Sequence, residues 1–160
     1  MYKRQAWGAS SARGVYLTKD GGENWNKTLY IGDNVGIADM VADPHNPNKI
    51  VAAMWEFGRT PWGFNSGGEG SGVHISYDGG STWKKVTSKE GLPKGDLGRI
   101  GLAFAASKPG LIYALVEAKE NAIFKSTDGG EKWSKITNKN VGNRPFYYAC
   151  LLYTSPSPRD

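Results

Sequence analysis

The chain has 160 residues, a length that suits about one domain. Its 39% hydrophobic and 12% aromatic content excludes a disordered chain, and no apolar run approaches the ~20 residues of a membrane-spanning helix. Net charge is +5, from 20 Lys plus Arg against 15 Asp plus Glu, with no run of five like charges, which argues against a nucleic-acid arm. The 22 glycines, nearly twice the ~7% norm, point to a turn-rich β protein.

The two ends read differently from the middle. MYKRQ at 1–5 and CLLYTSPSPRD from Cys150 to Asp160 resemble the translation of a sequencing adapter, and both are expected to be foreign to the gene. Removing Lys3, Arg4, Arg159 and Asp160 leaves 17 basic against 14 acidic residues, a charge of +3. Cys150 goes with them. The native segment, 6–149, therefore has no cysteine for a disulfide, a nucleophile or a thiolate metal site. The true start is then expected to lie outside this sequence, so the lack of a signal peptide carries no information.

Three segments then line up along the chain: GVYLTKDGGENW at 14–25, GVHISYDGGSTW at 72–83 and AIFKSTDGGEKW at 122–133. Each holds Ser or Thr, any residue, Asp-Gly-Gly, two variable residues and Trp. The aspartates Asp20, Asp78 and Asp128 are spaced by 58 and 50 residues, a period that suits a propeller blade or a similar array. Val15 and Leu17, Val73 and Ile75, and Ile123 alternate with their neighbours, as a half-buried strand does. Asp-Gly-Gly supplies a turn whose glycines accept positive φ. The returning strands are expected at Asn26–Ile31, Lys84–Thr87 and Ser134–Thr137, each opened by a tryptophan (Trp25, Trp83, Trp133) as an apolar plate. A turn staple is the reading these residues favour for Thr18, Ser76, Ser126 and the three aspartates, with Gly22, Gly80 and Gly130. A catalytic or metal carboxylate is the alternative.

Between the hairpins lies a second pattern: Ile37–Ala42, a PHNPN turn and Ile50–Phe57, then Ile100–Ala105, a SKPG turn and Leu111–Ala118. Each unit thus has four strands, the outer pair made by the Asp-Gly-Gly hairpin. The expected fold is all-β, a stretch of four-stranded antiparallel blades with the end of one blade, two complete ones and the start of a fourth at Phe146–Ala149.

These motifs resemble the Asp-box, or BNR, repeat family of β-propellers. The phrases VADPHNPNKIVAAMWE, RTPWGFNSGGEGSG and GLPKGDLGRIGLAF are similar to bacterial propellers related to the sortilin (Vps10) luminal domain, which share their blade with xyloglucan-cleaving glycosyl hydrolases. The resemblance implies a ring of about seven or more blades, an Asp-box on a peripheral turn away from the ligand face, and a secreted, periplasmic or extracellular location.

In a four-stranded blade the second-to-third loops and the blade-to-blade links share one face. That face should carry the Gly58–Ser71 insertion with Arg59, Trp62, Phe64, Asn65 and Glu69, and the links with Asp33 and Asn34, Asp96 and Arg99, and Asn143 and Arg144. Arg59, Trp62, Phe64, Asn65 and Arg99 suit stacking on a sugar or gripping a peptide; they could equally fold back onto their own blade. The Gly-rich end of the insertion is expected to be free to move. Asp33, Glu69 and Asp96, with Glu56 and Glu117, are the carboxylates that could form a glycosidase pair, though no spacing selects one. His45 and His74 have no partner at metal-ligand spacing, so neither a metal nor a cofactor is expected. Two functions remain open: a scaffold binding protein or glycan, or part of a glycoside hydrolase, with the remaining blades as partners and no nucleic acid.

Overall fold

The computed structural model describes residues 8–142. Their strands are β1 (Val15–Leu17), β2 (Asn26–Leu29), β3 (Val35–Asp43), β4 (Asn46–Thr60), β5 (Gly63–Ser66), β6 (Gly72–Ser76), β7 (Lys84–Val86), β8 (Ile100–Phe104), β9 (Ile112–Val116), β10 (Ala122–Ser126) and β11 (Ser134–Thr137). One 3-10 turn, Ser88–Glu90, is the only helical element among the described residues. All pairings are antiparallel. β3-β4-β6-β7 and β8-β9-β10-β11 are four-stranded blades in chain order, and β1-β2 is an outer pair without inner strands. The sheets stay open, as an arc of a β-propeller does. The stretches 1–5 and 150–160, the strand at Phe146–Ala149, and Asn143 and Arg144 lie outside the described residues.

Alternation along the strands decides what packs where. Val51 and Ala53 of β4 and Val73 and Ile75 of β6 join Ile100, Ile112, Ala114 and Phe124 in one core between the two complete blades. Met54, pointing the other way from β4, packs with Val15 and Val35 against the outer pair. Strand β4 is therefore apolar on both faces, because a blade inside a ring has a neighbour on each side. Polar contacts add to the joint: Leu102 N donates to Asp39 Oδ2 at 2.8 Å, and Lys49 Nζ donates to the Asp128 carbonyl at 2.9 Å.

Each Asp-Gly-Gly turn is built the same way. Ser76 Oγ accepts from Gly80 N at 2.8 Å and donates to Asp78 Oδ1 at 2.8 Å; Ser126 and Thr18 repeat this with Gly130 and Asp128, and with Gly22 and Asp20. The Asp78 carboxylate then accepts from Ser81 N and Thr82 N, both at 2.9 Å. Gly79 and Gly80 turn at φ 71° and 92°, a region that side chains disfavour. Trp25, Trp83 and Trp133 donate their indole N–H to the carbonyl of Gly22, Gly80 and Gly130. Their burial differs with their neighbours. Trp133 is 5% exposed against the preceding blade, and Trp83 also reaches Thr28 Oγ1 of the outer pair, whereas Trp25 is 58% exposed.

Most differences from the expected strands are of one to three residues at the ends. The turn after β3 is shorter than PHNPN: it is Pro44-His45 alone, with Asp43 Oδ1 accepting from His45 N at 2.9 Å, and β4 begins already at Asn46.

Two expectations about stability follow. Ser126→Ala strips the partner from the buried Gly130 N–H, and should lower unfolding free energy by about 1–3 kcal/mol in denaturant titration. Acid should act in two stages. His74 is 5% exposed with no partner for Nδ1 among the described residues, and burial, then the nearby Lys85, lower its pKa from 6.5 to about 4. The unfolded chain takes up that proton first, so stability should fall as pH drops from 6.5 to about 4. Hydrogen bonds from Thr82 N, the Thr82 hydroxyl and Ser76 hold Asp78 down at about 2, so a second loss should follow between pH 3.8 and about 2. Chemical denaturation across this range should show both stages, with the upper one missing in His74→Leu.

Candidate functional site

Strand β4 does not stop at the edge of its blade. After Glu56 it leaves the sheet and pairs with β5, Phe57 opposite Ser66 and Arg59 opposite Phe64, around a two-residue turn at Pro61-Trp62. The Gly58–Ser71 insertion is thus a β-hairpin arm rather than an irregular loop. Period-two alternation continues through Trp55, Phe57 and Arg59, and the proline sits in the turn, where its missing N–H costs the ladder nothing.

The Gly-rich end of the insertion is pinned, not free to move. Gly67 N donates to the Glu56 carbonyl at 2.9 Å, Gly68 N to the Leu97 carbonyl at 3.3 Å, and Gly70 N to Glu56 Oε2 at 3.0 Å. Ser71 Oγ accepts from Glu56 N at 2.9 Å. Glu117 occupies the matching place in the next blade, where Oε2 accepts from Arg99 N at 2.7 Å. A Cβ on Gly68 would run into the Glu56 carboxylate, and one on Gly98 into that of Glu117. Glycine lets the backbone come close enough for the carboxylates to grip it. Both glutamates are therefore occupied by the framework.

Cross-strand partners share a face, so Trp55, Phe57, Arg59, Phe64 and Ser66 lie on one side of the arm. The Trp55 and Phe57 rings are 4.4 Å apart, and Phe57 meets Phe64 edge-on at 5.4 Å. The Arg99 guanidinium lies 5.9 Å from the Trp55 ring. Beneath them Trp55 Nε1 donates to Ser66 Oγ at 3.1 Å, and that hydroxyl donates to Glu117 Oε2 at 2.9 Å. The base of the arm is thereby tied to the neighbouring blade. The arm also bounds a groove of about 460 Å³, lined by Arg59, Phe64 and Asn65 together with Asn34 and Glu56. Arg13 fixes the segments around this groove, donating to the carbonyls of Asn34 at 2.6 Å, Phe57 at 3.2 Å and Gly8 at 2.8 Å.

The proposed ligand residues thus come to one structure: Arg59, Phe64 and Asn65 on the arm, Trp62 at its tip with 91% of its surface exposed, and Arg99 at its base. Of the carboxylates, Glu69 and Asp96 flank the antiparallel bridge between Gly68 and Leu97, and Asp33 belongs to the link before β3. Asp33 Oδ1 accepts from the Tyr30 hydroxyl at 2.5 Å, Asp96 is exposed on the link before β8, and Glu69 is exposed beside Lys85, whose Nζ donates to its carbonyl at 2.8 Å. Sequence reasoning missed Trp55, Phe57, Ser66 and Arg13; the Trp-x-Phe-x-Arg alternation was the signal for the first two. No group of three or more His, Cys, Asp or Glu among the described residues could hold a metal, and no described helix is long and apolar enough to cross a membrane.

Replacing Glu117 with Ala removes the acceptor shared by Ser66 and Arg99 N. The Trp55 indole N–H resonance should shift in the NMR spectrum and the melting temperature should fall. An unmoved Trp55 signal would show that the arm is held without Glu117.

No protein-family model and no curated protein matches the chain. Among solved structures it is similar to a GH74 enzyme of Niastella koreensis, with a TM-score of 0.56 and 20% identity over 79% of this chain. The chain spans only 18% of the length of that enzyme. At this identity the likeness is one of fold, and it places the two blades and the outer pair on a propeller scaffold also used by a glycoside hydrolase.

Proposed function

We propose that the chain is part of a secreted Asp-box β-propeller of the glycoside-hydrolase type, and that it contributes a glycan-binding arm. The observation that supports this reading is the aromatic strip of Trp55, Phe57 and Phe64, extended by the exposed Trp62 and flanked by Arg99. Flat apolar rings beside a guanidinium suit a sugar, whose C–H face stacks while its hydroxyls find polar partners. Arg59 and Asn65 border the adjoining groove and would supply such partners. The arm would stand at the rim of the ring's central cavity, on the face that carries the blade links.

Cleavage of a glycosidic bond takes two carboxyl groups about 5–9.5 Å apart across the sugar. Glu56 and Glu117 grip backbone N–H groups instead, so we assign them to the framework. Asp33, Glu69 and Asp96 receive no catalytic role. In this reading the chain binds substrate, and the chemistry belongs to the rest of the ring. The Asp-Gly-Gly turns serve as staples, since their carboxylates are filled by the turn's own donors.

Calorimetric titration with neutral plant-type oligosaccharides such as those of xyloglucan tests the arm. Trp62→Ala and Phe64→Ala should each weaken binding by about fivefold or more, about 1 kcal/mol, at unchanged melting temperature. Loss of affinity for peptides but not glycans would favour the sortilin-like scaffold. Unchanged affinity with a lower melting temperature would make both rings packing groups.

A further inference from the structure

A second concavity, of about 490 Å³, opens beside the link between the two complete blades. One wall is the link Gly91–Lys94, the other the connection Ala118–Ala122. Leu92, Ala122 and Phe124, all buried, form an apolar floor, and Lys94, Lys119 and Lys135 stand around the edge. Lys135 Nζ lies 3.2 Å from Glu120, the one acidic residue of the lining.

The walls are built rather than loose. Thr87 and Glu90 cap the 3-10 turn reciprocally, Thr87 Oγ1 accepting from Lys89 N and Glu90 Oε2 accepting from Thr87 N at 2.7 Å. Gly91 follows at φ 98°, lying so close to the Trp133 carbonyl that a side chain would not fit. Trp133 N donates to the Glu90 carbonyl at 2.7 Å, which ties this wall to β11's blade. In the opposite wall Asn121 Oδ1 accepts from Ala118 N at 3.2 Å. The lysines continue beyond it. An adjoining concavity of about 260 Å³ shares Leu92, Pro93 and Lys94 and adds Lys85 and one carboxylate, Glu69.

We propose that this paired concavity binds an acidic oligosaccharide, seating uronate residues with the ring's apolar face on Pro93 and Ala118, above the buried floor, and the carboxylates on Lys94 and Lys119. Its volume lies within the ~300–1,000 Å³ of small-ligand sites. An apolar floor with a cationic edge accommodates a sugar that is flat on one side and negatively charged at its rim. A neutral glycan would leave the lysines unused. The paired concavity shares no residue with the groove beside the arm, although Gly68, Glu69 and Ser71 of the insertion's return path line its smaller half.

The test is calorimetric titration of the full chain with an oligogalacturonate and with its carboxyl-reduced counterpart. Saturable binding of the first and none of the second is expected. The double variant Lys94→Ala, Lys119→Ala should lower affinity at least tenfold. The control Lys19→Ala, Lys108→Ala removes the same charge elsewhere and should change it less than twofold. Equal losses in both variants, equal binding of the reduced oligomer, or equal binding of a DNA oligonucleotide of matched charge would each overturn the proposal, leaving only general attraction of a polyanion to a basic protein. All four lysines are surface side chains, and matching melting temperatures of the variants check that their folding is intact.

Discussion

One hydroxyl per blade holds the outer hairpin together. Ser76, Ser126 and Thr18 each satisfy a glycine N–H inside the turn, buried at Ser76 and Ser126, and each orients the aspartate two residues on. That aspartate in turn collects the N–H groups where the chain reverses. Once the reversal is fixed, the tryptophan that follows has a single place to go, with its N–H on the turn's own carbonyl and its ring toward the preceding blade. Register, strand pairing and the joint between blades thus descend from a short polar motif. An apolar residue in place of the serine would leave a buried donor unpaired at the point where the sheet can least adjust.

The arm obeys a different logic. It is an extension of a core strand, so its rigidity comes from β4, which is buried on both faces before it emerges. Its posture is set at the base by Ser66 and Glu117, one from each blade. The same glutamate position in the preceding blade, Glu56, holds the arm's return path. Two equivalent carboxylates thus perform one task at successive joints, and the exposed Trp62 and Phe64 lie on a feature that one of the two complete described blades carries and the other lacks.

The blades were legible in the sequence because their signals are local. Three copies of Ser/Thr, Asp-Gly-Gly and Trp state a hairpin, and alternating apolar residues state the strands on either side. The arm was harder to read. Gly58, Pro61 and the glycines from Gly67 onward carry the composition of a loop, while the pairing of Arg59 with Phe64 and the edge-on contact of Phe57 with Phe64 exist only once the strands meet. The grip of Glu117 on Ser66 spans 51 residues of chain and has no sequence signature. Nor does the role of Arg13, whose three carbonyl partners come from separate segments. Residue types announced a binding surface; the contacts between distant segments decided its shape.

The graded burial of Trp25, Trp83 and Trp133 bears on how such a chain comes apart. Each blade contributes its tryptophan to a joint with the one before it, so much of the cohesion resides between repeats rather than within them. A one-dimensional array of this kind behaves as a row of coupled units, each stabilised by its nearest neighbours. Opening would then begin where a unit lacks a neighbour and advance one joint at a time. Amide protons of β1 and β2 would exchange with solvent well before those of β4 and β9, and closing the ring would remove the free end from which unzipping starts.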